Sequence, residues 1–154
     1  MEKKLREEFW HAFEKSPFIM IRLESSGDHA EPMTAQLDRE AHHTIWFFTS
    51  RDNRIASGGK AMAQFSGKGH DVFACLSGNL AEETDQARFD KHWSKQVAAW
   101  FPKGRDDPNL LMLRFEIASA EVWTADPGLV GTFKLLTGNA IRSDEMGKHE
   151  VGLV

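Results

Sequence analysis

A chain of 154 residues, 41% of them hydrophobic, is long enough for one sizeable core and too short for two comfortable ones. Its net charge of -4, with no basic run anywhere, argues against a partner held through phosphate backbone, so no nucleic-acid partner is expected. No window approaches the ~20 apolar residues of a membrane span, and the opening MEKKLREEFW lacks the apolar heart of a secretory signal, so a cytoplasmic protein with no membrane partner is expected.

Leu5, Phe9 and Phe13 recur every four residues among charged neighbours, the spacing of a helix with one apolar stripe, and Ser16-Pro17 ends it. The period then becomes two. Residues 18–23, 32–38 and 44–50 read as short strands separated by turns at 25–28 and 38–41. A helical turn is expected after Asn53, stopping at Gly58-Gly59. Strands at 61–66 and 71–80 follow, joined by Gly67-Lys68-Gly69 as a hairpin. The single cysteine, Cys75, has no partner for an internal disulfide and reads as a buried, inert thiol.

Helical spacing returns over residues 84–101, with Phe89, Trp93, Val97 and Trp100 on one face and Pro102-Lys103-Gly104 as the break. In the long strand that follows, Leu111, Leu113, Phe115, Ile117 and Trp123 all fall on odd positions, which places Trp123 on the apolar face. The glycine-punctuated stretch 127–154 is expected to be irregular or mobile apart from a possible helix over 129–136. The count is six strands in one domain, residues 1–154. The expected class is mainly β with peripheral helices, since six sequential antiparallel strands remove their edges by closing into a barrel. Side chains fill the interior of so small a barrel. A ligand must therefore sit outside it, in a groove or at a subunit contact.

The candidate for such a place is "HHTIWFFTSRDNR", residues 42–54, where an aromatic strand empties into a polar cluster. Thr49 and Ser50 offer hydroxyls and Arg54 a planar fork for phosphate oxygens, while Asn53 would start a helical turn with free N–H groups. Trp46, Phe47 and Phe48 could wall a planar ring. From spacing alone, a plain turn with a cap is the simpler account.

The ordered set "EPM", "IWFFTSRDNR", "FACLSGNL", "AAWFPKGRDDP" and "AEVW" resembles the general stress protein group of the pyridoxamine 5'-phosphate oxidase-like family. The resemblance implies a six-stranded split β-barrel with flanking helices that forms a homodimer, with flavin mononucleotide (FMN) in two grooves at the interface. By the same resemblance, Pro32, Met33 and Thr34 form the strand beside the flavin ring. Phe48, Thr49 and Ser50 contact ring and ribityl chain, Arg54 the phosphate, and Trp123 packs near the cofactor. Trp123 reads equally well as a core or dimer-contact residue. The chain departs from the family pattern at Glu31, where an Arg is usual, and at Asn53-Arg54-Ile55, which supplies one cation where two are common.

The implied function is FMN binding, with flavin-dependent oxidoreduction of an unassigned substrate as one reading and a non-catalytic, dimeric flavin-binding or sensing stress protein as the other. No acid or base catalyst is named. The seven histidines show no zinc spacing, so no metal site is expected. His42 and His43 read as solvated turn residues, and Glu82, Glu83 and Asp85 as acid at a helix start.

Overall fold

The computed structural model describes residues 1–125, 138 and 147–154. Helix α1 spans Lys3–Lys15 and buries Leu5, Phe9 and Phe13 completely. Strands β1 (Phe18–Leu23), β2 (Glu31–Thr34), β3 (Thr44–Ser50), β4 (Gly59–Ser66) and β5 (Val72–Glu82) follow. Two short helices, α2 (Gln86–His92) and α3 (Lys95–Ala98), then precede the long strand β6 (Leu110–Thr124) and a last strand, β7 (His149–Gly152). The expected helix over 129–136 lies outside the described residues.

All pairings between the strands are antiparallel, in the order β2-β1-β4-β5-β6-β3. An isolated bridge between Gln36 and Trp46 joins the continuation of β2 to β3 and closes the ring. One edge of β6 is shared: β3 takes Leu110 to Glu116, and β7 takes Ala120 to Trp123. The seventh strand was not expected. With two glycines in its last eight residues, the tail carries a weak strand pattern, and its order comes from the free edge of β6.

Ile19, Ile21, Ile45, Phe47, Leu76, Leu113 and Phe115 fill the barrel, each 2% exposed or less. The stripe of α1 lies against Phe65 of β4, with ring centroids 5.9 Å from Phe9 and 4.9 Å from Phe13. Burial of each such ring contributes roughly 1.5–3 kcal/mol, which explains why a charged 13-residue helix holds its place.

Three local readings change. Residues 53–58 form consecutive turns, with Ala56 N–H donating to the Asn53 carbonyl (2.9 Å) and Gly58 N–H to that of Ile55 (3.0 Å), and none of them is helical. Gly58 and Gly59, at φ 69° and 102°, return the chain to β4 through a conformation that other residues resist. In the β4–β5 hairpin the left-handed residue is His70 (φ 55°), not one of the glycines. The expected helix over 84–101 breaks at Trp93-Ser94, because Ser94 turns to cap α3 with its hydroxyl on the Val97 N–H. That break swings Trp100 out to 83% exposure and leaves His92 buried.

Candidate functional site

Register decides which side chains share the outer face of the sheet. Met20 lies opposite both Pro32 and Gln64, Gln64 opposite Cys75, and Phe73 opposite Trp123. Alternation points these side chains, with Phe18, away from the core. They line a groove of about 550 Å³. Phe18 is 60% exposed, Met20 41%, Phe73 37% and Trp123 36%, so a single chain leaves a contiguous apolar face to solvent. No carboxylate, imidazole, ammonium or guanidinium lines the groove among the described residues. Phe18, Met20 and Phe73 were missed in the sequence, because an exposed apolar residue on a strand looks the same as a buried one until its neighbours are known.

Trp123 faces the groove and not the core, contrary to its odd-numbered position. Ser77 pairs with Ser119 but Gly78 pairs with Ile117, so Ala118 is an extra residue in β6. Beyond that bulge the parity inverts: Ala120 and Val122 turn inward, and Trp123 turns out to stack on His149 at 5.0 Å and 8°. Cys75 is likewise no buried thiol; it is partly exposed on the outer face.

Strand β3 splits the expected binding residues between its two faces. Ile45 and Phe47 join the core, and Thr49, 8% exposed, follows them inward; Phe48 and Ser50 point the other way. The Phe48 ring is covered by Phe89 (5.4 Å, 90°) and Trp93 (5.7 Å, 79°), so the aromatic stripe of α2 packs on β3. On β2, Pro32 and Thr34 are exposed while Met33 packs against the core.

The polar cluster beyond β3 is crossed by carboxylates. The Ser50 hydroxyl accepts from Asn109 Nδ2 at 2.7 Å and donates to Asp52, whose carboxyl is held below its ordinary value chiefly by that hydroxyl. Asn53 Oδ1 accepts from the Ile55 N–H at 2.9 Å, a side-chain turn. Arg51 donates to Glu82 at 2.8 Å, which lowers the Glu82 carboxyl and raises the guanidinium. Arg54 Nε sits 3.3 Å from Glu31 Oε2, and its Nη1 donates to the His29 carbonyl at 3.1 Å. Ser50, Asn53 and Arg54 offer the donor types a phosphate needs, so the set fits in kind. A phosphate reaching Arg54 would share the guanidinium with Glu31.

The structure brings Pro32 and Trp123 into one groove and keeps residues 49–54 as a separate cluster at the barrel rim. The join between them is β2, where Glu31 holds Arg54 and the next residue, Pro32, lines the groove. A second cavity, of about 840 Å³, lies between α1 and residues 37–43, with Trp10 and Arg6 in its wall. Residues 49–54 line neither cavity. His43, expected in a solvated turn, is at φ 64° and hydrogen-bonds through Nδ1 to the Val154 carbonyl. Asp85 caps α2 by accepting from the Ala87 N–H, whereas Glu82 and Glu83 pair with Arg51 and Arg114.

A family model described as "Pyridoxamine 5'-phosphate oxidase like" matches residues 4–145. A solved structure described as the general stress FMN/FAD binding protein of Xanthomonas citri is 42% identical, with a TM-score of 0.75, over 81% of this chain and 92% of that one. A putative general stress family protein of Xanthomonas campestris pv. campestris is also 42% identical, with a TM-score of 0.73, over 80% and 89%. A putative general stress protein 26 of Jannaschia sp. CCS1 superposes with a TM-score of 0.81 at 27% identity, over 99% of this chain and 100% of that one. A comparison with curated proteins returns no match.

Proposed function

Since the chain belongs to the pyridoxamine 5'-phosphate oxidase-like family, we propose that it binds a flavin of the FMN type against the outer face of its barrel, completed by a second copy of the chain. The observation that carries this reading is the groove itself. Trp123, Phe73, Phe18 and Pro32 offer flat apolar surface to a planar heterocycle, and the exposure of Phe18, Phe73 and Trp123 leaves that surface open to solvent. An apolar face of this kind is uncommon on a protein that stays monomeric.

Within this reading, Pro32 and Trp123 would hold the ring, while Ser50, Asn53 and Arg54 at the end of β3 would serve the tail. Thr49 faces inward, and Phe48 is covered by α2. These two would shape the strand end, as Met33 and Thr34 would shape β2, without lying against the ring. Bound flavin would supply one- and two-electron redox chemistry. The groove residues would contribute position and exclusion of water, because none of the described ones carries an acid or base side chain apart from the thiol of Cys75.

The test is the visible spectrum of protein purified without added cofactor, followed by mass spectrometry of what denaturation releases. Bands near those of oxidised flavin, lost from a Trp123→Ala variant that still folds, support the reading. A colourless protein that quenches neither FMN nor riboflavin fluorescence overturns it. Turnover with reduced nicotinamide would then distinguish an oxidoreductase from a flavin-holding protein.

A further inference from the structure

The contact between Glu31 and Arg54 has a consequence for the tail of whatever occupies the groove. The Glu31 side chain is 21% exposed. One of its oxygens faces Arg54 Nε at 3.3 Å; the other, Oε1, is buried with no hydrogen-bond partner among the described residues. A buried carboxylate oxygen without a donor is costly, and a ligand that supplies a donor relieves that cost. The rest of the cluster points the same way. Arg51 is taken by Glu82 and the Ser50 hydroxyl by Asp52, so three carboxylates stand among two guanidiniums and the local charge is negative.

We propose that Glu31 is a resident competitor for the phosphate position on Arg54 and sets the tail selectivity of the site in favour of an uncharged polyol over a phosphate monoester. The inference rests on the flavin reading above and adds to it the chemistry of the tail. A phosphate dianion brings only acceptors, meets the negative cluster and has to share a guanidinium whose charge Glu31 already offsets at 3.3 Å. A terminal hydroxyl brings a donor, which Glu31 Oε1 lacks, and leaves the pair intact. Riboflavin and FMN differ in this one group, so they are the natural probes.

The experiment is a fluorescence-quenching titration of riboflavin and of FMN against the full chain, the Glu31→Gln variant and the Glu31→Gln/Arg54→Gln double variant, at fixed salt. Each variant is checked for folding by circular dichroism. The wild type is expected to bind riboflavin at least as tightly as FMN, the phosphate gaining little from a cation that is already offset. Glu31→Gln frees Arg54 and should raise the FMN-to-riboflavin affinity ratio about tenfold or more, through a gain in FMN affinity. The double variant should lose that gain, which ties it to Arg54 and not to a general loosening of β2.

A wild type that prefers FMN, or a ratio that Glu31→Gln leaves unchanged or lowers, overturns the competitor role while the flavin reading stands. Failure of both flavins to bind both the wild type and Glu31→Gln overturns the flavin reading itself. Should Glu31→Gln not fold, Glu31→Ala carries the same comparison with the same expected ratio.

Discussion

Gly78 packs its Cα directly against the backbone of Glu116, so that a Cβ built on Gly78 would overlap the Glu116 carbonyl and touch the Phe115 ring. This close approach sits beside the bulge that gives β6 its extra residue. Gly78→Ala should therefore destabilise the chain by about 1–3 kcal/mol, the range for an added methyl forced into a packed position. Urea unfolding measures the loss. Because the bulge sets which way Trp123 points, intrinsic fluorescence of the variant should also shift. A variant as stable as wild type would mean that β5 and β6 separate there at little cost.

Asp38 joins the end of the β2 segment to α2. Its side chain is 4% exposed, accepts from Lys91 Nζ at 2.7 Å and pairs with Arg88. The Lys91 hydrogen bond is the main reason its carboxyl falls from an ordinary 3.8 to about 2. A folded-state value below the unfolded one means stability that is fully present above pH 3.8 and lost as pH falls toward 2. Lys91 and Arg88 are themselves partly exposed, so solvent screening leaves about 1–2 kcal/mol at pH 7. Asp38→Asn should lower stability by that amount at neutral pH and flatten the melting temperature between about pH 4 and 2. An unchanged acid slope would assign the pH dependence to other carboxylates.

His92 packs its ring on Trp46, centroids 4.8 Å apart at a tilt of 30°, and its Nε2 is buried without a partner among the described residues. Burial is the leading cause that lowers its pKa from 6.5, with Arg88 and Lys91 adding to it while Asp38 and Glu83 oppose. A depressed histidine stabilises the fold above pH 6.5, and that contribution is lost as pH falls from there toward the lowered value. His92→Phe keeps the ring contact with Trp46 and removes both the buried nitrogen and the titration. Its stability should match or exceed wild type by up to about 1 kcal/mol near pH 7.5, and by more near pH 5.5. Equal losses at both values would show instead that the imidazole makes a hydrogen bond that matters.

The outer face predicts its own partner. Phe73 is opposite Trp123 and 37% exposed, so Phe73→Asp places a charge on the groove without touching the core. If a second copy covers this face, the variant should remain folded while its dimer dissociates at concentrations about tenfold or more above those of wild type. Sedimentation velocity reads this directly. Identical association of the two proteins would move the contact to another surface.

Much of the fold was legible because periodicity is a local property. The helix of Leu5, Phe9 and Phe13 was found with its buried face correct, and β1 and β3 with their observed bounds, since three- and four-residue or two-residue spacing directly reflects one-sided burial. The break at Trp93-Ser94 was hidden because Trp93 and Val97 keep helical spacing across a cap that only the Ser94 hydroxyl reveals. Of the nine candidate site residues, Pro32 and Trp123 meet in one groove; Ser50, Asn53 and Arg54 gather at the rim, with carboxylates drawn from β2, β5 and the turn itself.

The order of residues determined that this chain alternates short apolar strands with two helical regions, and that its chemistry-bearing groups cluster just after β3, because hydrophobic period and residue type are carried by neighbours along the chain. Which way Trp123 faces, and what Arg54 holds, were decided only in three dimensions. A bulge exists only where two strands are paired, and the carboxylate that meets Arg54 comes from 23 positions earlier in the sequence, brought there by closure of the sheet.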